Sequence, residues 1–106
     1  MPENIKKILD ELKKELTGIH GSNLQHLFLY GSYARNEAKS GSDIDVLLVL
    51  EKFNNIWEII QKNSEVVQKI CLKYGVVISL IPVKALMYNS VKTPLIMNVK
   101  KEGISL

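Results

Sequence analysis

A chain of 106 residues, 46% hydrophobic and 24% charged, has the length and composition for one buried core but not two, so a single domain over residues 1–106 is expected. Its net charge of +3 and pI near 9.0 favour anionic ligands such as nucleotides, but the lysines are scattered among acids without a dense basic stripe, which argues against direct DNA binding. No apolar run approaches the roughly 18 residues needed to cross a membrane, no signal peptide is evident, and the single cysteine excludes an internal disulfide, so a cytoplasmic protein is expected.

Pro2 at a first helical position, the apolar face Ile5, Ile8, Leu9, Leu12 and Leu16, and Gly18 as a stop predict an amphipathic helix over 3–17. A loop over 18–23 then leads into a strand at Leu24–Tyr30. His20 and His26 have no partner at metal-ligand spacing and read as surface or edge residues. Next come Gly31-Ser32-Tyr33-Ala34-Arg35, compatible with a helical turn, a polar loop from Asn36 to Ser42, and Asp43-Ile44-Asp45, which opens a second strand running to Leu50.

Each part of that unit has a chemical reason. Gly31 lets the chain turn sharply and lets a ligand approach the backbone. The amides that follow point outward at the positive end of a helix dipole, an anion site to which Ser32 adds a hydroxyl donor. Asp43 and Asp45, two residues apart on a strand, face the same side about 7 Å apart at their bases. Carboxylate oxygens converging to about 4 Å would repel by about 4 kcal/mol at an effective dielectric near 20, so the pair calls for a divalent cation. Oxygen-only donors suit Mg²⁺ or Mn²⁺, which keep several waters and accept phosphate oxygens. An anion cradle beside a hard-metal site describes a nucleoside triphosphate in place for transfer chemistry. Gly-Ser is a common turn and Asp-x-Asp a common strand end; their conjunction between two apolar strands is what carries information.

Thirteen lysines accompany a single arginine, Arg35, one helical turn after Ser32. A planar guanidinium here either binds phosphate or pairs with Asp43 or Glu37 to shape the turn. Asn36 tolerates a left-handed conformation at the turn's end.

The second strand is apolar on both faces beyond its acids, which marks it as interior. Phe53, Ile56, Trp57, Ile60, Val67, Ile70, Cys71 and Tyr74 recur at helical spacing and end at Gly75, predicting one long helix or two abutting ones over 53–74. In that stripe Trp57 reads as core rather than as a base-stacking platform, and Cys71 as core rather than as a reactive thiol. A third strand over 76–82 is expected to end at Pro82, which cannot continue a ladder inside a sheet. A short helix over 84–90 follows. Thr93-Pro94 caps and opens a final helix to Glu102, with Gly103 ending it. Ile104 and Leu106 either form an interface or pack back on the helix stop. The sum is three strands and three or four helices, with the acids at the exposed edge of a small mixed sheet.

Gly31-Ser32, ten residues, then Asp43-Ile44-Asp45 resembles the signature of the nucleotidyltransferase superfamily that shares the polymerase-β palm. The chain's size and its tail, Lys92 to Gly103, resemble the minimal nucleotidyltransferase branch of that superfamily. The resemblance implies an α/β (α+β) fold with helices packed on a small mixed sheet. It also implies a nucleotide donor, usually ATP, with Mg²⁺ or Mn²⁺ held by Asp43 and Asp45 as catalytic acids, and Gly31, Ser32, Arg35 and Ser42 around the nucleotide. For the minimal branch it implies a small all-helical HEPN-type partner whose tyrosine is AMPylated to silence its ribonuclease activity, as in a toxin and antitoxin pair. It implies no membrane and leaves a homodimer open. The family also places a third carboxylate on a later strand. The candidate strand Val76–Pro82 has none, and Ser79, its only polar residue, takes the corresponding place. The expectation is therefore a Mg²⁺-dependent transferase of AMP to a hydroxyl. The alternative is a weak or inactive nucleotide-binding module that regulates a partner by contact alone. Small-molecule modification by a homodimer is a third reading.

Overall fold

The computed structural model describes residues 2–106. Helix α1, Glu3–His20, buries Ile5, Ile8, Leu9, Leu12 and Leu16, the face read from the sequence. It runs past Gly18, where one glycine costs a helix only about 1 kcal/mol. The stop comes at Gly21, which adopts φ 55 and donates its N–H to the Thr17 carbonyl. Pro2 sits just outside the helix as its cap, with φ −57 and ψ 145. The extra turn carries His20 inward, where its Nε2 lies 2.7 Å from Asn63 Oδ1 in a buried hydrogen bond. The surface assignment expected for His20 is thus corrected, while His26 is exposed on its strand.

After a short 3-10 turn at Gly21–Asn23, strand β1 spans Leu24–Tyr30 and β2 spans Ile44–Leu50. Helix α2, Ile56–Tyr74, leads to β3, Ile78–Lys84. Helices α3, Ala85–Ser90, and α4, Pro94–Glu102, precede a two-residue strand β4, Ile104–Ser105. The sheet order is β3-β2-β1-β4. β1 is antiparallel to both β2 and β4, and β2 is parallel to β3.

The small mixed sheet with packed helices agrees with the expected fold class, and the sequence reading missed one strand. β4 is too short to show any periodicity, and it pairs Ser105 and Ile104 with Phe28 and Leu29. The Leu106 N–H extends this pairing to the Leu27 carbonyl at 2.8 Å. Leu106 therefore packs back on the core, whereas Ile104 stays 38% exposed. The break expected at Pro82 does not occur, because β3 is an outer strand and a missing N–H can face away from the ladder.

β2 is the axis of the core. Ile44, Val46, Leu48 and Leu50 face α1 and α2, while Leu47 and Val49 face Val99 and the half-buried rings of Phe28, Tyr30 and Tyr88. All six are fully buried, each worth about 1.5–3 kcal/mol of transfer free energy. This double cover fixes β2, and with it the direction in which its first residues project.

α2 is one helix that begins later than expected, after Phe53. The Asn55 side chain caps it by accepting the Trp57 N–H at 2.8 Å. Its buried residues are Ile59, Asn63 and Ile70, and Trp57 is 67% exposed. The expectation that Trp57 packs in the core is overturned. The expected stripe holds at Phe53, Val67, Ile70, Cys71 and Tyr74, which pack against the core, and fails at Ile56, Trp57 and Ile60, because the inward face there passes through Ile59 and a polar residue, Asn63, whose partner is His20. Cys71 packs against the core as expected.

Candidate active site

The end of β1 and the start of β2 lie side by side, with Tyr30 directly opposite Asp45. Between them the chain makes one helical turn, in which the Arg35 N–H donates to the Gly31 carbonyl at 3.1 Å and the Glu37 N–H to the Ser32 carbonyl at 2.9 Å. Tyr33 and Ala34 anchor this turn against the core. Asn36 closes it with φ 60, the left-handed conformation its side chain tolerates. The amides of Ser32, Tyr33 and Ala34 precede the first bonded donor, as at the start of any helix.

Gly31 is required twice over. Its φ is +74, and a Cβ placed on it would run into Asp45 Oδ2 and lie 3.2 Å from Asp45 Cγ. The sharp turn and the carboxylate are therefore in contact. This contact joins the two halves of the sequence motif, which lie more than ten residues apart in the chain.

Asp43 stands just before β2 and is exposed, while Asp45 is half-buried within it. Burial raises the Asp45 carboxyl above its ordinary value, the charge of Asp43 raises it further, and Arg35 pulls it back. Burial and the same Asp45 charge push the Tyr30 phenol up. A half-buried Asp45 with the negative charge of Asp43 beside it is a donor set suited to a cation. Among the described residues, no cluster of three or more His, Cys, Asp or Glu could hold a metal. A Mg²⁺ or Mn²⁺ ion here would have two protein carboxylates and otherwise water and phosphate oxygens, the coordination these ions accept. The residues present fit such an ion.

The other sequence-derived residues have definite places. Arg35 Nε donates to Glu37 Oε2 at 3.1 Å, and its Nη1 donates to Glu102 Oε1 at 2.9 Å. Of the roles expected for this arginine, the Glu37 pair is formed. Glu102 is a partner the sequence did not reveal, since nothing local links residues 67 apart. Ser42 Oγ accepts the Lys39 N–H at 2.9 Å and shapes the loop leading into Asp43. Ser79 pairs in register with Asp45 from the β3 side, so Tyr30, Asp45 and Ser79 form a row across three strands. Tyr30 was missed by the sequence reading, and its place immediately before Gly31 was the available signal.

Residues 5–106 match the family model described as a nucleotidyltransferase domain. A protein of Methanocaldococcus jannaschii, provisionally named a protein adenylyltransferase, is 32% identical over 102 residues, covering 96% of this chain and 98% of its own. A protein adenylyltransferase of Thermococcus cleftensis is 37% identical over 59 residues, 56% of this chain and 58% of that protein. Among solved structures, a minimal nucleotidyltransferase superposes with a TM-score of 0.67 at 18% identity, over 98% of this chain and 94% of that one. A toxin-antitoxin structure solved with AMP-PNP gives a TM-score of 0.60 at 22% identity, over 89% of this chain and 68% of that one.

Proposed function

The chain belongs to the nucleotidyltransferase domain family, and from that premise we propose that it is a single-domain enzyme transferring AMP from ATP to a protein hydroxyl. The acceptor in this reading is a tyrosine of a small all-helical HEPN-type partner, and the protein acts as the antitoxin of the pair in the cytoplasm. The contact of Gly31 with the Asp45 carboxylate carries the reading, because it sets a phosphate-binding turn against a metal-binding acid. The adenylyltransferase names of the relatives and the AMP-PNP bound to a structural neighbour support the choice of nucleotide.

Asp43 and Asp45 would hold Mg²⁺ or Mn²⁺, which when bound would supply neutralisation of phosphate charge. The Gly31-Ser32 turn receives the β and γ phosphates through its amides and the Ser32 hydroxyl. Arg35, pinned by Glu37 and Glu102, braces the turn. Ser42 sets the approach of Asp43. Catalysis then rests on positioning and charge stabilisation.

The test is incubation with α-labelled ATP, Mg²⁺ and the helical protein that co-purifies. Label moving to that protein, and lost in Asp43→Asn and Asp45→Asn, is the expected result. One observation favours a second reading, regulation by contact without transfer: the residue beside Asp45 on β3 is Ser79 rather than an acid. That reading takes over if both aspartate variants silence the partner as well as the native protein does, with no label transferred.

A further inference from the structure

Resting on the transferase reading above, we propose that Ser79 determines acceptor specificity: beside Asp45 on β3 it offers no base, which confines transfer to hydroxyls acidic enough to ionise unaided, phenols above aliphatic hydroxyls and water.

The register of the sheet carries the argument. Asp45 has Tyr30 opposite it on β1 and Ser79 opposite it on β3. Matched positions on paired strands project to the same face, about 4.8 Å apart from strand to strand. Gly31 and Ser32 continue directly from Tyr30, so a pyrophosphate group held by them lies on the β1 flank of Asp45. Displacement at phosphorus sets the attacking and leaving oxygens roughly in line on opposite sides. The incoming hydroxyl therefore arrives on the β3 flank, over Ser79. β3 is an outer strand of the sheet and Ser79 is half-buried in it, so this flank lies at the sheet's edge.

β3 itself offers the acceptor no base on that flank. Ile81, two residues on along the same face of β3, and Val77, just before the strand, are apolar, and among the described residues no third metal-ligating side chain joins Asp43 and Asp45. During transfer the acceptor's proton must go to solvent. Its oxygen then bonds the α-phosphorus, the bond from that phosphorus to the bridging oxygen breaks, and the electron pair leaves with pyrophosphate. A phenol of pKa about 10 ionises measurably near neutrality, whereas water, a far weaker acid, does not. Acceptors of the second kind need a general base, worth roughly 10²–10⁴-fold. The consequence is economy with ATP: the bound nucleotide survives in water until a phenol is presented.

The test uses Ser79→Asp, with Ser79→Asn as the uncharged control. Mn²⁺ alone is titrated against each protein, and pyrophosphate release from ATP is followed with water, N-acetyltyrosinamide or N-acetylserinamide as acceptor. Ser79→Asp is expected to bind Mn²⁺ at least about tenfold more tightly and to hydrolyse ATP to AMP roughly 10²–10⁴-fold faster than the native protein. Its rate is expected to be level in pH above the carboxylate range, while native transfer to tyrosinamide climbs with pH. Ser79→Asn is expected to gain nothing. The proposal is overturned if Ser79→Asp leaves Mn²⁺ affinity unchanged, if it binds the ion tightly yet hydrolyses ATP no faster, or if the native protein uses serinamide as readily as tyrosinamide. Failure of the parent reading looks different: Mn²⁺ and ATP then bind equally well to Asp43→Asn and native protein.

Discussion

Replacing Gly31 by alanine probes the contact on which the site is built. An L-residue at φ +74 costs about 1–2 kcal/mol of backbone strain. The new methyl group also collides with Asp45 Oδ2, so Asp45 must leave its rotamer by some 30°, about 0.5–1.5 kcal/mol more. Together Gly31→Ala is expected to cost about 2–3 kcal/mol in urea unfolding. In an Asp45→Ala background the collision disappears and only the backbone part remains, so the double-mutant cycle should show a coupling of about 1 kcal/mol. Function should suffer more than stability, because misplacing a reacting group by about 1 Å costs on the order of 10²-fold in rate. Mn²⁺ titration and labelled-ATP transfer read this directly. Equal destabilisation in both backgrounds, or native Mn²⁺ affinity in Gly31→Ala, would refute the claim that this glycine is required by the carboxylate behind it.

Trp57→Ala is expected to change unfolding free energy by no more than about 0.5 kcal/mol, since the ring is exposed; a loss of about 3–5 kcal/mol would return it to the core. Asn63→Leu leaves a nitrogen of the buried His20 ring without its partner and is expected to cost about 1–3 kcal/mol, measured by chemical denaturation. The Asp45 carboxyl titrates above its unfolded value, so the fold binds that proton more tightly and loses stability as pH rises from the unfolded carboxylate value through the Asp45 value. Metal-free Asp45→Asn should therefore melt higher than native protein at neutral pH, with the advantage vanishing in acid. Mn²⁺ should raise the native melting temperature and leave that variant unmoved.

How far the sequence revealed this molecule depended on whether each feature was local. The Gly31-to-Asp45 unit was legible as a strand, a sharp turn and a second strand because a glycine-serine turn and a polar loop separate two short apolar runs. The core face of α1 was legible because its period is clean. The inward face of α2 was legible only in its second half, at Val67, Ile70, Cys71 and Tyr74, because Asn63 interrupts it earlier and is reconciled only by His20, 43 residues away. Pro82 misled because whether a strand is central or outer is a property of the sheet rather than of the strand. β4 and the Glu102 clasp on Arg35 were invisible for the same reason: two residues carry no periodicity, and a distant ion pair leaves no local trace.

That clasp has a bearing on how the molecule is born. Arg35 leaves the ribosome early, yet its partner is made 67 residues later, and β1 gains its outer neighbour only once Ile104 and Ser105 have emerged. Contacts of such long sequence separation form late, after the loop entropy of the intervening chain has been overcome. A nascent chain short of Glu102 would carry the whole glycine-to-aspartate motif on an unbraced scaffold, so the turn would gain its full support only after Glu102 and the residues of β4 had emerged.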